Sequence, residues 1–440
     1  MDMNITLDKN LLDTYFKLLK PSLKTGKDRV NVSNFERNID QNLDIIERKT
    51  NNHTYQFTNF KKVTTNGRTV NIPTIRDRIL IEYLKDTIKQ KYKIKLKDRT
   101  TIISNLKDIL SENIDYYIIR LDIENFFQSI HLNDLLSKIE KSSLLQYREY
   151  DLLQKLLSKQ ATGLPTGLSI SNYLSELFLE GFDLRLRRIH ANILFYSRYV
   201  DDIIIVVAGK VSKTETTKIH NKIESIFKEY KLKMNKSKSE SKVLTKDKNS
   251  TAIEYLGYTF KRTRKNNTQK REPSLEIGIS NDKLQKYTAK INYIFFDFFQ
   301  NNNEHLLYER LKVLTKKNKM SKKLFAIETN SKFSLKYTSV TFGLSEDYKF
   351  INDASFKLVE KKLNQNIHLA KKNIHNRKMR RKLHKMGSIN SNSGKINIID
   401  KIPIHSLRSK VNKLDSSTNY SQILKMRKSE LLHHYFRMIQ

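Results

Sequence analysis

Apolar residues recur at helical spacing between Asp8 and Lys20 (Leu11, Leu12, Tyr15, Phe16, Leu18, Leu19), and the same period predicts a long amphipathic helix over 76–92. Between them, residues 55–73 alternate apolar and polar positions as strands do, with Thr65-Asn66-Gly67 as a hairpin turn. Strand and helix signals then alternate over 116–260, which predicts an α/β body. Within it, residues 117–121 form an apolar, β-branched run that ends on Asp122, and 131–141 return to helical spacing. Two further apolar runs inside 193–209 flank Asp201 and Asp202, so the acid pair is expected at or beside a β-hairpin turn. Ser280-Asn281-Asp282 offers an N-cap cluster for a helix that continues through the aromatic-rich residues 291–299. Beyond Lys336 the pattern reads as mostly helical, with a basic segment at 371–386 and a linker-like, Ser- and Asn-rich stretch at 387–394. No self-similarity appears at solenoid periods.

Composition narrows the partners. The 440 residues carry 83 Lys and Arg against 46 Asp and Glu, a net charge of +37, which makes a polyanion the natural partner. The length accommodates two or three cores. The absence of cysteine excludes disulfides and thiolate metal sites and fits a reducing cytosol. The opening residues MDMNITLDKN hold acids and no apolar stretch, unlike a signal peptide, and no apolar run approaches the roughly 20 residues that span a bilayer. The expectation is a soluble, cytoplasmic chain with no membrane partner.

Two adjacent carboxylates between strands rich in Ile and Val crowd like charges, and a divalent cation relieves that repulsion. Beside the strand ending at Asp122, three carboxylates would converge. Such a cluster suits phosphoryl transfer, in which two magnesium ions about 3.5–4 Å apart activate a 3′-hydroxyl and neutralise pyrophosphate. Magnesium prefers hard oxygen ligands of this kind. A solvated Asp-Asp hairpin turn fits the same residues, and the pair alone leaves both readings open.

The neighbouring segments resemble the palm of reverse transcriptases. Tyr199-Val200-Asp201-Asp202 matches the family's YxDD box, residues 121–127 (LDIENFF) its first aspartate motif, and 162–178 (TGLPTGLSISNYLSELF) its LPxGxxxS loop and helix. Residues 68–79 (RTVNIPTIRDRI) resemble the fingers segment of bacterial and group II intron-like members, 232–238 (LKMNKSK) the NxxK element, and Tyr255-Leu256-Gly257-Tyr258 the primer-grip hairpin. The six motifs stand in the family's order across residues 60–260. The resemblance implies an α/β (α+β) polymerase right hand, with fingers and palm built on antiparallel sheet, a helical thumb and a helical C-terminal extension. Its implied boundaries are 1–115 for the first part of the fingers and 116–262 for the palm with the remaining fingers helices. A hairpin and helical thumb would follow at 263–335, then a basic helical extension at 336–440.

By the same resemblance, Asp122, Asp201 and Asp202 are the catalytic acids that hold two magnesium ions, Asp122 and Asp201 binding both and Asp202 as the supporting ligand, and Ile123 lends a backbone carbonyl. Phe127 falls on the steric gate that favours deoxynucleotides; in an extended chain Phe126 would point the other way, into the core. Arg68, with Lys61 or Lys62, fits a clamp on the incoming triphosphate. Thr166 and Gly167 are expected behind the nascent base pair, Lys238 as a general acid for the leaving pyrophosphate, and Leu256 and Gly257 in the primer grip. The basic residues 261–271 and 371–386 are expected on a phosphate backbone. His433-His434 lacks a partner at ligand spacing and reads as structural.

Residues 95–115 contain no NAxxH, and 277–280 read IGIS where retron enzymes carry VTG. Pro165-Thr166-Gly167 stands where group II intron proteins carry PQG. What remains is most similar to the bacterial defence-associated and abortive-infection reverse transcriptases. This implies an RNA-directed DNA polymerase in antiphage defence, with an RNA template, a structured non-coding RNA partner, deoxynucleoside triphosphates and a DNA product. A protein partner or a homo-oligomer is compatible with it. The alternatives are a template-independent or protein-primed DNA polymerase on the same palm, a retron- or intron-type enzyme, and a catalytically dead RNA-binding scaffold. The intact acids at 122, 201 and 202 argue against the scaffold.

Overall fold

The computed structural model describes residues 7–65, 67–245, 252–264, 273–327, 333–389, 392, 394, 396–415 and 418–439. The chain divides into two compact units, residues 1–251 with 262–274, and residues 252–261 with 275–440.

The first unit opens with helices α1 (Lys9–Leu19), α2 (Val32–Arg37) and α3 (Ile39–Asn51), followed by the antiparallel hairpin β1 (Lys61–Thr65) and β2 (Arg68–Ile72). Helix α1 starts where the Asp8 carboxylate accepts the Leu11 N–H at 2.8 Å, a cap worth about 1 kcal/mol. The strand expected over 55–60 does not form. Those residues are drawn to the buried Asp77 carboxylate, which accepts the Tyr55 hydroxyl at 2.9 Å and the Thr58 hydroxyl at 2.6 Å, so side-chain bonding displaces a ladder. Helices α4 (Ile75–Lys91) and α5 (Arg99–Leu110) lead to the central strand β3 (Tyr116–Asp122). After it come α6 (Phe126–Ser129), α7 (Leu132–Ser142), α8 (Tyr147–Leu157) and α9 (Ser169–Leu186). The hairpin β4 (Ile193–Tyr199) and β5 (Asp202–Ala208), α10 (Lys213–Glu229) and β6 (Glu240–Leu244) complete the unit.

Its sheet has the order β4-β5-β3-β6, antiparallel throughout. Ile203 to Val207 of β5 are all fully buried, the near-continuous apolar run of a strand covered on both faces. Helix α9 packs against α4, α7 and α10. Its Phe182, fully buried, meets Phe227 and Tyr230 with ring centroids 5.2 and 5.3 Å apart, and truncating such a ring costs about 3–5 kcal/mol.

A sheet of order β7-β8-β9, from β7 (Ala252–Tyr255), β8 (Tyr258–Arg264) and β9 (Pro273–Ile279), lies in the second unit except for residues 262–264 and 273–274. Helices α11 (Asn281–Asn301) and α12 (Glu304–Thr315) precede a long antiparallel hairpin, β10 (Lys317–Ile327) and β11 (Phe333–Phe342). The short α13 (Leu344–Asp347), then α14 (Ser355–Lys372) and α15 (Arg377–His384), lead to β12 (Ile396–Ile398), which pairs in parallel with β10. Three helices close the chain: α16 (Ile404–Leu414), α17 (Tyr420–Lys425) and α18 (Lys428–Ile439), around a core that includes Leu407, Val411, Leu431 and Tyr435.

Two expectations change here. Residues 336–342 are strand, not helix, because FSLKYTSVTF combines aromatic and β-branched residues with a period of two. The stretch at 387–394 is packed where it is described: Ile389 and Asn392 are buried, and the Asn392 side-chain amide donates to the carbonyls of Lys385 and Ser388 at 2.6 Å. The basic residues 371–386 run from the end of α14 through a turn into α15. Among the described residues, no helix is long and apolar enough to cross a membrane.

Candidate active site

The end of β3 fixes the first acid. Asp122 pairs with Asp202 of β5 in the ladder, its N–H donates to the Ser239 hydroxyl at 3.2 Å, and its carbonyl accepts the Asn235 N–H at 2.8 Å. The turn between β4 and β5 closes onto the same strand, because the Ile123 N–H donates to the Asp201 carbonyl at 3.3 Å. Register alone therefore brings residues 122, 201 and 202 together. A bridge between Ile123 and Met234 uses the Asp122 carbonyl and the Glu124 N–H, and leaves the Ile123 carbonyl out of it.

The three carboxylates have different neighbours. Both Asp202 oxygens accept from Arg120, at 3.0 Å from Nε and 3.1 Å from Nη2. Burial pushes the Asp202 carboxyl up, Arg120 opposes that, and Asp201 and Asp122 add to the rise. Asp122 is buried, with one oxygen 3.6 Å from the Lys238 ammonium. Among the described residues, no group of three or more His, Asp or Glu side chains is arranged to hold a metal ion. The Arg120 fork engages both oxygens of Asp202. Asp122, Asp201 and the Ile123 carbonyl offer hard oxygen atoms of the chemistry that a divalent cation such as magnesium takes.

Arg198, missed in the sequence, supports the turn. Among the described residues it is the largest fully buried side chain, and all five of its N–H donors are used. Nε and Nη2 donate to Asp183 at 2.8 and 3.0 Å, and Nη1 and Nη2 donate to Glu176 at 2.9 and 2.8 Å. The remaining Nη1 bond reaches the Val200 carbonyl at 2.9 Å. Burial would lower the guanidinium pKa, but the bonds and charges of Asp183 and Glu176 outweigh it and hold it above the ordinary value. Val200 itself sits at φ 62°, a left-handed conformation that a β-branched residue adopts only under constraint. Helix α9 thus holds the acid turn through one arginine.

The loop at 162–168 links three elements. Gly163 has φ 59°, and a Cβ there would lie 2.3 Å from the Phe127 carbonyl, which accepts the Leu164 N–H at 2.6 Å. Gly167 has φ 84°, and its Cβ would lie 2.3 Å from Val70 Cγ1. The Thr166 carbonyl accepts from the backbone and side-chain amides of Asn71, both at 3.0 Å, and its hydroxyl donates to the Thr69 carbonyl at 2.5 Å. The expected Thr166 and Gly167 are thereby joined to β2. Phe126 is buried and Phe127 half-buried, as expected, but the argument from an extended chain fails. Asn125 turns left-handed at φ 48° and both rings lie on the helical turn α6, their centroids 5.2 Å apart.

Lys61 and Lys62 are exposed on β1; the Arg68 backbone starts β2, and its side chain lies outside the described residues, as do most side chains of 261–271. Leu256 and Gly257 belong to the second unit. Both have positive φ, 47° and 81°, and form the two-residue turn of β7-β8, where the Gly257 carbonyl accepts the Ser280 N–H at 3.0 Å. His434 does have an acidic partner, Asp415, at 2.7 Å; the 19-residue separation hid it from a spacing argument.

Residues 59–260 match the family model described as Reverse transcriptase (RNA-dependent DNA polymerase). Over 123 residues, 28% of this chain, the sequence is 31% identical to the Retron Se72 reverse transcriptase of Salmonella heidelberg (strain 579083-10). That stretch spans 32% of the relative's length. The family match begins just before β1 and ends within β8, so residues 59–260, which enclose every candidate from Lys62 to Gly257, are similar to the reverse transcriptase family.

Proposed function

We propose that this chain is an RNA-directed DNA polymerase that adds deoxynucleotides to a primer, with Asp122, Asp201 and the Ile123 carbonyl holding two magnesium ions. The observation that carries this is the junction of Asp122 with the Asp201 turn inside the matched segment. Bound there, the metal would supply charge neutralisation at the transferring phosphoryl group. The chain's own residues do the rest. Arg120 keeps Asp202 paired and out of the reaction, and Arg198 holds the turn. Lys238, 3.6 Å from Asp122, is suited to donate a proton to the leaving pyrophosphate. Phe127 limits the space for a 2′-hydroxyl, Thr166 and Gly167 back the base pair, and Arg68 with Lys62 balances triphosphate charge. Leu256 and Gly257 would grip the primer in a right hand whose palm is 116–262.

A cytoplasmic antiphage role with a non-coding RNA partner is our reading from the defence-type resemblance. The relative's name favours a second reading, a retron-type enzyme. The test is to purify the protein with its bound RNA, supply labelled deoxynucleotides and magnesium, and sequence RNA and product together. DNA complementary to the RNA supports templated synthesis; DNA without a template match transfers the case to untemplated addition. Product formation equal in the wild type and in Asp122→Asn or Asp201→Asn would refute the assignment of the acids.

A further inference from the structure

Helices α12, α15 and α16 of the second unit enclose a cavity of about 310 Å³. Its walls carry four lysines, Lys312, Lys382, Lys410 and Lys413, with His305 and Tyr308, against one carboxylate, Glu309. That carboxylate is already committed. It is buried, pairs closely with Lys410, accepts the Tyr435 hydroxyl at 2.6 Å, and lies 3.9 Å from Lys312. Among the described residues, neither Lys382 nor Lys413 stands within ion-pair distance of a carboxylate, and Lys382 instead rests 5.6 Å from the centre of the Tyr308 ring. Burial, partly offset by Glu309, lowers the Lys312 pKa, and the neighbouring lysines lower it further.

Like charges gathered in a concave, partly buried site focus a positive field on its interior. We propose that this cavity binds a nucleotide phosphomonoester, as the 5′ end of a nucleic-acid strand or as a free mononucleotide, through side chains of the second unit alone. A dianionic monoester matches the surplus positive charge better than a monoanionic diester. The volume suits a nucleotide-sized group, and lysines supply adaptable point charges for phosphate. Tyr308 offers a half-buried aromatic wall. The proposal goes beyond polymerisation and stands on this cavity's own side chains.

The test uses the full chain. Lysine acetylation read by mass spectrometry, with and without inorganic phosphate or deoxyadenosine 5′-monophosphate, should reveal protection of Lys382 and Lys413. In parallel, an oligonucleotide with a 5′-phosphate should bind about tenfold more tightly than its 5′-hydroxyl twin, the effect of one or two charge-assisted contacts. Lys382→Gln/Lys413→Gln should erase both effects. Lys357→Gln/Lys361→Gln, an equal loss of charge on the exposed face of α14, should preserve them. Protection without strand preference identifies the free nucleotide as ligand, and strand preference without protection by the mononucleotide identifies the strand end. Absence of both effects in the wild type, or equal losses in the two double variants, overturns the proposal. Primer extension measured alongside separates this outcome from the polymerase reading, since extension can persist when the cavity binds nothing.

Discussion

Arg198→Met is the most informative single change. It keeps the length of the side chain while removing five N–H donors and a charge that is 1% exposed. Glu176 and Asp183 would lose their counterion, and the side chains are only 20% and 16% exposed. Breaking a buried pair on one side costs about 3–5 kcal/mol. At about 2–4 °C per kcal/mol for a unit of this size, the melting temperature should fall on the order of 6–20 °C. The second effect is local. Without the bond to its carbonyl, Val200 has less reason to hold φ 62°, and the Asp201 turn is released. A displacement of about 1 Å at a reacting centre can cost on the order of a hundredfold in rate. Thermal melts, single-turnover primer extension and the magnesium concentration for half-maximal rate should therefore all change. Arg198→Lys, with three donors and no planar fork, should recover stability in part but leave the magnesium requirement raised. Wild-type extension at wild-type magnesium in a clearly destabilised Arg198→Met would refute the positioning argument and leave Arg198 as scaffold.

Three further changes test other parts of the molecule. Gly167→Ala should cost about 1–3 kcal/mol, since its Cβ would stand 2.3 Å from Val70 Cγ1 at φ 84°, and should raise the KM for deoxynucleotides; unchanged melts and kinetics would contradict the contact. Phe127→Ala should narrow the preference for deoxynucleotides over ribonucleotides, read as the ratio of kcat/KM values; an unchanged ratio would return Phe127 to a packing role. Glu309→Gln addresses pH. Burial raises the Glu309 carboxyl pKa, but Lys312 and Lys410, with the Lys410 and Tyr435 bonds, outweigh it and hold the group below its ordinary 4.5. A depressed folded pKa contributes stability above the unfolded value and loses it as pH falls through the folded one. The variant should therefore be less stable at pH 7 by about 3–5 kcal/mol, with the gap closing below about pH 4.5. A gap constant from pH 7 to pH 3 would count against the pairing.

Much of the first unit was legible because its signals are local. The apolar run of β3 and the paired runs of β4 and β5 define strands wherever they fold, and Gly163 and Gly167 mark turns whose positive φ values, 59° and 84°, only glycine adopts easily. The acids followed from that frame together with the family resemblance. What stayed hidden depends on partners distant in sequence. Asn71 lies 95 residues from Thr166, and Arg120 lies 82 from Asp202. A period-two reading puts Arg120 on the Asp122 face of β3 and offers a hint, but Arg198 had no such signal. The β10-β11 hairpin was obscured differently, because its lysines imitate the polar face of a helix.

The charges around the acids differ from one acid to the next. Arg120 keeps its proton at every accessible pH, and its planar fork meets both oxygens of Asp202, so this pair is a fixed neutral unit beside the site. The cation opposite Asp122 is of another kind. Lys238 is 61% exposed, sits 3.6 Å away on a flexible stem, and can leave for water at little cost when a divalent ion arrives. Asp202 therefore lowers the local charge that Arg120 would otherwise present to a metal, and Asp122 remains the acid whose counterion is exchangeable. Under the proposed function, the second aspartate of the turn would support the site, and the first aspartate and Asp122 would carry its chemistry.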